Sequence, residues 1–206
     1  MRIIGGKSGG RILKVPKGFD VRPTPDLVKQ AVFNSLGTRV ESAEVLELFG
    51  GSGALSLEAL SRGAARAMIV EKSPRTAKMI RDNFLSLNLN PHQLELRIQD
   101  AFTALQQLAA QNRQFDLLFA DPPYGEKNVG KRSQSFAQKL LDDPALPLVL
   151  KEAGLFILGH SKRDSLDLGT RFDELKFLKH GDSIMRFLRV KVGNETPSNA
   201  TASAPQ

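Results

Sequence analysis

Short apolar runs separated by helical segments dominate the middle of the chain. The runs predict five strands, at residues 45–49, 67–70, 94–98, 115–120 and 155–158. Between the second and third, Ser73 suits a helix N-cap, Pro74 suits the first turn, and apolar residues recur at helical spacing from Ala77 to Leu87. Strands that are apolar throughout and alternate with helices predict a parallel α/β sheet covered by helices on both faces.

A hairpin pattern follows these elements. Segments 174–179 and 183–192 are separated by His180-Gly181-Asp182, which predicts a C-terminal antiparallel strand pair and brings the sheet to seven strands. Residues 193–206 lack large apolar side chains and are rich in Ser, Ala, Asn and Pro, so we expect a disordered tail.

The amino-terminal region has a different pattern. Glycine-rich residues 5–10 between two short apolar segments predict a small hairpin. Helical spacing from Pro25 to Leu36, with Thr24 as N-cap and Gly37 as stop, predicts a helix that docks on the main domain. We therefore expect an extension over residues 1–40 and a main domain over residues 41–192.

Composition narrows the class of protein. With 206 residues, 41% of them hydrophobic, the chain is long enough for one substantial core. No apolar run approaches the ~18 residues that span a bilayer, and the N-terminus does not resemble a signal peptide, so a cytoplasmic protein is expected. We also expect a monomer. The absence of Cys excludes disulfides, thiolate zinc sites and cysteine nucleophiles, and three scattered His leave little for a metal, so metal-free chemistry is expected.

Positive charge is concentrated at the N-terminus. Residues 1–40 contain eight Lys or Arg and two Asp, so they carry +6 of the net charge of +7. A concentrated cationic segment suits a polyphosphate partner, because each neutralised phosphate releases condensed counterions. The alternative is an ordinary solvated basic face.

A glycine-rich turn follows the first predicted strand of the main domain. Its sequence is Glu47-Leu48-Phe49-Gly50-Gly51-Ser52-Gly53, a strand leading into a turn and then a helix. The first such turn of an open α/β sheet is a usual ligand site, and glycines let the backbone approach a ligand closely. Ser56 stands where a dinucleotide fingerprint has its third glycine, which favours another nucleotide-like ligand. The alternative is a tight turn that needs glycine for conformation only.

Carboxylates follow the next two predicted strands. Glu71 lies 18 residues after Gly53, a position from which a carboxylate accepts both hydroxyls of a ribose. Asp100 precedes Ala101 and Phe102, and it is placed to accept from an adenine amino group while Phe102 lies against the ring. The alternatives are a helix-start charge for Glu71 and a helix N-cap for Asp100.

The motif Asp121-Pro122-Pro123-Tyr124 follows the strand at 115–120. Prolines cannot continue a central strand and lack amide donors, so the preceding carbonyls remain available as acceptors. Hydrogen bonds from an exocyclic amine of a nucleobase to Asp121 and the Pro122 carbonyl would localise the nitrogen lone pair. Tyr124, the only tyrosine, is placed to stack on the base; the alternative is a turn tyrosine packed for bulk. The motif predicts catalysis by positioning and electrostatics, without a covalent enzyme intermediate.

These motifs resemble those of a known superfamily. The loop 47–53, Glu71, Asp100 and the motif 121–124 have the order and spacing seen in class I S-adenosylmethionine-dependent methyltransferases that act on exocyclic amines. Segments 2–6, 10–11, 22–24, 33–34 and 57–64 resemble, more narrowly, the RsmD family of bacterial 16S rRNA guanine-N2 methyltransferases. The resemblance covers roughly residues 1–192.

The resemblance implies a seven-stranded, Rossmann-like methyltransferase fold and S-adenosylmethionine as cofactor, with the methionine part near the glycine loop, the ribose on Glu71 and the adenine near Asp100. Cofactor-binding residues are then Glu47, Gly50, Gly51, Gly53, Glu71, Asp100 and Ala101. Catalytic residues are Asp121, Pro122, Pro123 and Tyr124, which the methyl group would face.

The implied partner is 16S rRNA or the small ribosomal subunit, and the target guanine has to be flipped out or lie in an open loop. Residues expected to contact the RNA are Arg2, Lys7, Arg11, Lys14, Arg22, Lys127, Lys131 and Arg132. Phosphate contacts of this kind position a partner without reading its sequence.

Two other functions remain open, and one residue departs from the family. A DNA adenine-N6 methyltransferase shares the 121–124 motif, but it needs a recognition region for which this chain has little room. A non-catalytic rRNA-binding assembly protein could retain the fold. The family pattern predicts a Glu before His160, where this chain has Gly159, and a carboxylate that shapes the base pocket would be missing there.

Overall fold

The computed structural model describes residues 1–15, 25–124 and 131–191. Its strands are β1 (Glu44–Leu48), β2 (Arg66–Glu71), β3 (Leu94–Ile98), β4 (Phe115–Ala120), β5 (Leu150–Ser161), β6 (Phe172–His180) and β7 (Ser183–Val190). Its α-helices are α1 (Asp26–Leu36), α2 (Ala54–Ser61), α3 (Pro74–Ser86), α4 (Ala101–Ala110) and α5 (Phe136–Asp142). Short 3₁₀ turns lie at Gly37–Val40, Pro91–Gln93 and Pro147–Val149.

The seven strands form one sheet in the order β3-β2-β1-β4-β5-β7-β6. Strands β1 to β5 are parallel, and β7 runs antiparallel between β5 and β6. The chain proceeds outwards from β1 to β3 and then from β4 to β5 on the other side, so the switch point lies between β1 and β4. Ligands of open α/β sheets bind at the carboxyl ends of strands beside such a point. The predicted seven-stranded α/β sheet with its C-terminal antiparallel pair is confirmed.

Strand β5 is longer than predicted. It begins at Leu150, which pairs with Phe115, and a register shift separates this pair from the pair of Leu117 and Leu155. The apolar run at 155–158 marks only the part of β5 that follows the shift. The polar residues before it gave no apolar signal, although they also belong to the strand.

Helices cover both faces of the sheet. On one face, Val32 of α1, Leu57 of α2 and Phe84 of α3 belong to the same buried cluster as Val45 and Phe119 of the sheet. A second buried cluster covers the opposite face and joins the sheet to α4 and α5 through residues that include Leu105, Leu140, Leu46 and Leu118. The sheet is therefore buried on both sides, as apolar parallel strands require.

The helix boundaries agree with the predicted capping residues, except at the start of α1. The Ser73 side chain accepts from the Thr76 N–H at 3.3 Å and caps α3, whose first residue is Pro74, as predicted. Pro25 occupies the N-cap position of α1 and not its first turn, because the helix begins at Asp26. Thr24, the predicted cap, lies outside the described residues. Gly37, with φ of +54°, ends α1 as expected.

The predicted amino-terminal hairpin is present as a single antiparallel bridge between Arg2 and Ile12. The Ile3 N–H donates to the Arg11 carbonyl, and the Leu13 N–H donates to the Met1 carbonyl, both at 2.9 Å. Ile3 and Leu13 are buried in the same cluster as α1 and α2. The apolar side of the hairpin is thus continuous with the core of the sheet.

A buried carboxylate of α2 holds this hairpin. Glu58 accepts from the Ile4 N–H at 2.7 Å and the Gly5 N–H at 2.9 Å. Its oxygens also lie 2.7 Å from Arg62 Nε and 4.0 Å from Lys29 Nζ, and the side chain of Lys29 is fully buried. Burial lowers the pKa of Lys29, while Glu58 and Asp26 oppose the shift. The charges of Glu58 and Lys29 therefore fix the hairpin to α1 and α2.

Candidate active site

The glycine loop after β1 combines tight packing with one open position. A side-chain carbon on Gly50 would lie 2.5 Å from Ile69 Cγ2, and one on Gly53 would lie 3.1 Å from Ile80 Cγ2. Gly51 and Gly53 have φ of +54° and +73°, which favours glycine. A side-chain carbon on Gly51 would approach only the Phe49 carbonyl, at 3.8 Å. Packing explains Gly50, conformation and packing explain Gly53, and conformation explains Gly51, whose backbone is also open to a ligand.

Glu47 lies beneath this loop. It is 4% exposed and accepts from the Ser56 N–H at 2.9 Å, so it caps α2, whose N-cap residue Gly53 has no side chain to do so. Burial raises the pKa of Glu47 to about 7, and the negative charge of Asp121 adds to the shift, while hydrogen bonds from Ser56 oppose it. Glu47 supports the loop from inside the protein rather than lining its surface.

Glu71 closes the loop from the neighbouring strand. Its two carboxylate oxygens accept from the Gly51 N–H at 2.9 Å and the Ser73 N–H at 2.8 Å. Each oxygen of an ionised carboxylate has a second lone pair, so Glu71 retains acceptor capacity for a ligand hydroxyl. Glu71 therefore orders the loop and the start of α3 while remaining half-buried at the end of β2.

Asp100 caps the helix after β3. One of its oxygens accepts from the Phe102 N–H at 3.0 Å and the Thr103 N–H at 3.3 Å, which is the N-cap alternative raised from the sequence. The other oxygen lies 3.7 Å from Lys72 Nζ, and the side chain is 43% exposed. Ala101 is the buried first residue of α4. Only one carboxylate oxygen of Asp100 is therefore used to cap α4.

Three aromatic rings form a cluster that includes Phe102, two residues after Asp100. Phe102 contacts Phe49 edge-on, with centroids 6.1 Å apart, and both contact Phe136 at 6.1 and 5.7 Å. Phe136 is 42% exposed. The sequence analysis predicts that Phe102 lies against an adenine ring, and it gives no signal for Phe136, which lies more than 30 residues away at the start of α5.

The motif at residues 121–124 follows β4 at the switch point. Ala120 is the last residue of β4 and pairs with Leu48 of β1 and Leu158 of β5. Pro122 is buried and Pro123 is exposed, and Tyr124 is 41% exposed. The carboxylate of Asp121 lies against Gly159 of β5.

The four motifs lie along one edge of the sheet in the order Asp100, Glu71, glycine loop and residues 121–124, because the strands before them lie in the order β3-β2-β1-β4. Backbone contacts join neighbours: the Gln99 N–H donates to the Glu71 carbonyl at 3.2 Å, and the Gly50 N–H donates to the Val70 carbonyl at 2.9 Å. Three strand spacings make this edge about 15 Å long. The arrangement suits one elongated ligand.

The candidate RNA contacts fall into two groups. Arg2, Lys7, Arg11 and Lys14 are exposed on the hairpin, where Arg2 pairs with Asp26 at 3.0 Å and Lys14 with Asp82 at 3.9 Å. Lys131 is exposed. The guanidinium of Arg132 forms ion pairs with Asp142, the last residue of α5, at 2.6 Å and with Asp167 at 2.9 Å. Arg22, Lys127 and the tail at 193–206 lie outside the described residues.

A family model described as conserved hypothetical protein 95 matches residues 1–189. The chain belongs to this family. The protein YlbH of Bacillus subtilis is 34% identical over 166 residues, which are 81% of this chain and 85% of YlbH. The ribosomal RNA small subunit methyltransferase D of Escherichia coli is 37% identical over 124 residues, so the match spans 60% of each chain. The family indicated by the sequence motifs is confirmed.

Solved structures share the fold of this family member. The Thermus thermophilus protein TTHA0928 is 28% identical and superposes with a TM-score of 0.75 over 92% of this chain and 99% of its own. An RNA methyltransferase from Salinibacter ruber, solved with S-adenosyl-L-homocysteine, has 18% identity and a TM-score of 0.61 over 84% and 98% of the two chains. The second likeness shows the fold alone. Within residues 1–15, 25–124 and 131–191, no helix is long and apolar enough to cross a membrane.

Proposed function

We propose that this protein transfers a methyl group from S-adenosylmethionine to the exocyclic N2 amine of a guanine in small-subunit (16S) ribosomal RNA. The observation that carries the proposal is the order of the four motifs along the edge of the sheet, with Asp100 at one end and Asp121 at the other. The E. coli relative, named a ribosomal RNA small subunit methyltransferase, supports the choice of substrate.

The residues along this edge fit the cofactor. The backbone at Gly51 is open, so the methionine part can approach the glycine loop closely. Glu71 lies at the next strand end with acceptor capacity for ribose hydroxyls, and the oxygen of Asp100 that does not cap α4 can accept from the adenine amino group. Phe102 presents a ring beside it. S-adenosylmethionine supplies a methyl group activated by its sulfonium.

The motif at residues 121–124 receives the target base. The Asp121 carboxylate and the Pro122 carbonyl accept from the two N–H groups of the amine, which localises the nitrogen lone pair. Tyr124 is exposed enough to stack on the guanine ring. The protein contributes orientation and electrostatics, and the base leaves its stack or lies in an open loop to reach the site.

The extension at residues 1–40 supplies the nonspecific part of RNA binding. Lys7, Arg11 and Lys14 are exposed, while Ile3 and Leu13 anchor the hairpin in the core. The positive charges are therefore held on a fixed surface instead of a loose arm. Contacts of these charges with phosphates orient the RNA without specifying its sequence.

Methyl transfer from labelled S-adenosylmethionine tests the proposal. Unmodified small ribosomal subunits, naked 16S rRNA and duplex DNA serve as parallel substrates, and nucleoside mass spectrometry identifies the product. We expect N2-methylguanosine from rRNA with the wild type and none with Asp121→Ala. N6-methyladenine from DNA would replace the guanine assignment with a DNA enzyme of the same fold, and failure on every substrate would favour a non-catalytic assembly protein.

A further inference from the structure

Gly159 occupies a position in β5 where backbone conformation does not require glycine. It pairs with Met185 of β7 in a regular antiparallel register. The glycines of positive φ among the described residues do not include it. Backbone conformation therefore does not explain the glycine at this position, and the explanation has to come from the atoms that a side chain at 159 would contact.

The space beside Gly159 is filled by Asp121. A side-chain carbon on Gly159 would lie 2.8 Å from Asp121 Cγ and closer still to Oδ1. Its next neighbour would be Met185 Sδ at 3.1 Å. Because Ala120 and Leu158 form the last pair of β4 with β5, Asp121 and Gly159 are the next residues along two adjacent strands. The carboxylate of Asp121 extends towards β5 and contacts the backbone of Gly159, which has no side chain to exclude it.

We infer that Gly159 is a positioning residue for Asp121, whose carboxylate takes the orientation that only the missing side chain at position 159 permits. The inference rests on the role of Asp121 in the proposed function. Any other residue at 159 places a carbon where the carboxylate now lies.

A side chain at position 159 would displace the carboxylate of Asp121 rather than the backbone. The clashing atoms belong to the end of its short side chain, which turns about two bonds without movement of the backbone. Met185 Sδ belongs to a flexible side chain and can shift by a few tenths of an ångström. An added methyl group therefore leaves the fold intact and moves the carboxylate by about 1 Å, a misplacement that costs about 100-fold in rate.

The variant Gly159→Ala tests this inference in the rRNA assay described above. We expect kcat to fall about 100-fold, while the KM for S-adenosylmethionine and the melting temperature stay close to wild type. Gly169→Ala is the control: its φ of +60° makes alanine strained, and no other atom lies near. It should lower the melting temperature by about 2–4 °C with kcat unchanged, which separates a stability loss from a rate loss.

The variant Asp121→Ala, measured in parallel, distinguishes a failure of the proposed role of Asp121 from a failure of the positioning role of Gly159. If Asp121→Ala retains the wild-type rate, the proposed role of Asp121 is wrong. If Asp121→Ala is inactive and Gly159→Ala keeps kcat within twofold of wild type, only the positioning role of Gly159 is wrong. A Gly159→Ala protein that does not fold, or that changes KM for the cofactor alone, would also overturn the inference.

Discussion

The hydroxyl of Tyr124 donates a hydrogen bond to Ser183 Oγ at 2.8 Å. Ser183 is the first residue of β7, so this bond ties the motif after β4 to a strand two places away in the sheet. A phenylalanine at position 124 would keep the ring and lose the bond. The C-terminal antiparallel pair therefore contributes directly to the orientation of the motif tyrosine.

Breaking this bond from either side should have the same effect. Tyr124→Phe and Ser183→Ala are each expected to lower kcat/KM for RNA by about three- to tenfold, since one hydrogen bond contributes about 1 kcal/mol. The double variant should be no slower than either single variant, because both remove the same interaction. Additive losses in the double-mutant cycle would show that the two residues act independently.

Removing the carboxylate of Glu71 should weaken cofactor binding. Glu71→Ala leaves the Gly51 and Ser73 N–H groups without their acceptor, and hydrogen bonds to a charged group contribute about 1.5–3 kcal/mol each. We expect calorimetry to show at least about tenfold lower affinity for S-adenosylmethionine. Glu44→Ala, at the opposite edge of the sheet, is the control. Equal affinity for both variants would remove Glu71 from the cofactor site.

Glu58 should be a major contributor to stability. Glu58→Ala leaves the buried Lys29 with Asp26 as its remaining carboxylate partner and removes the acceptor of Ile4 and Gly5, so we expect a loss of about 3–5 kcal/mol in urea unfolding. Glu95→Ala breaks an exposed pair with Arg97 and should cost less than about 1 kcal/mol. Similar losses from the two variants would mean that the buried charges do not hold the hairpin.

The buried carboxyl of Glu47 should make stability depend on pH. Its pKa in the folded protein is about 7, above the ordinary value of 4.5, so the folded state holds a proton that the unfolded state has released between these values. This contribution is fully present below pH 4.5 and is lost as the pH rises through 7.

Glu47→Gln isolates this effect, because the amide keeps an acceptor for Ser56 and cannot ionise. The variant should gain stability over wild type as pH rises, from little at pH 4.5 to about 3 kcal/mol at pH 8, measured by urea unfolding in matched buffers. A difference that stays constant across this range would contradict the raised pKa.

Charges on the hairpin should govern the salt dependence of RNA binding. The triple change Lys7→Gln, Arg11→Gln and Lys14→Gln is expected to reduce the slope of log affinity against log salt by about 2 to 3, at about 0.7–0.9 per phosphate contact. The control carries Arg66→Gln, Arg113→Gln and Lys151→Gln at the opposite edge of the sheet. If both triple variants give the wild-type slope, the hairpin is an ordinary basic surface.

Local sequence patterns were sufficient for much of the fold. Apolar runs located β3 and β4 with the bounds that the structure shows, and Ser73-Pro74 marked the start of α3. These elements are set by interactions between residues close in sequence: alternation of apolar strands with helices, a capping hydroxyl and a proline at the first turn. The predicted start of the fifth strand at residue 155 was wrong, because the strand begins at Leu150, which pairs with Phe115, and continues through polar residues.

For the candidate site too, the sequence predicted some features and the structure was needed for others. The sequence identified Glu71, Asp100 and Asp121 because carboxylates that directly follow apolar strands meet at one edge of a parallel sheet. Their hydrogen-bond partners were not visible, and Glu47 proved to be a buried cap of α2. Burial depends on which helix covers which strand, and spacing along the chain does not report it.

The amino-acid pattern alone specifies an α/β sheet of seven strands, its glycine loop and its motif at residues 121–124. Folding adds the contacts between residues far apart in sequence, such as Tyr124 with Ser183, Asp121 with Gly159 and Glu58 with the amino-terminal hairpin. No repeat of apolar or polar residues along the chain indicates that these residues will meet. The first two contacts exist because the sheet order places β5 between β4 and β7. The third exists because the apolar side of the hairpin packs into the same buried cluster as α2.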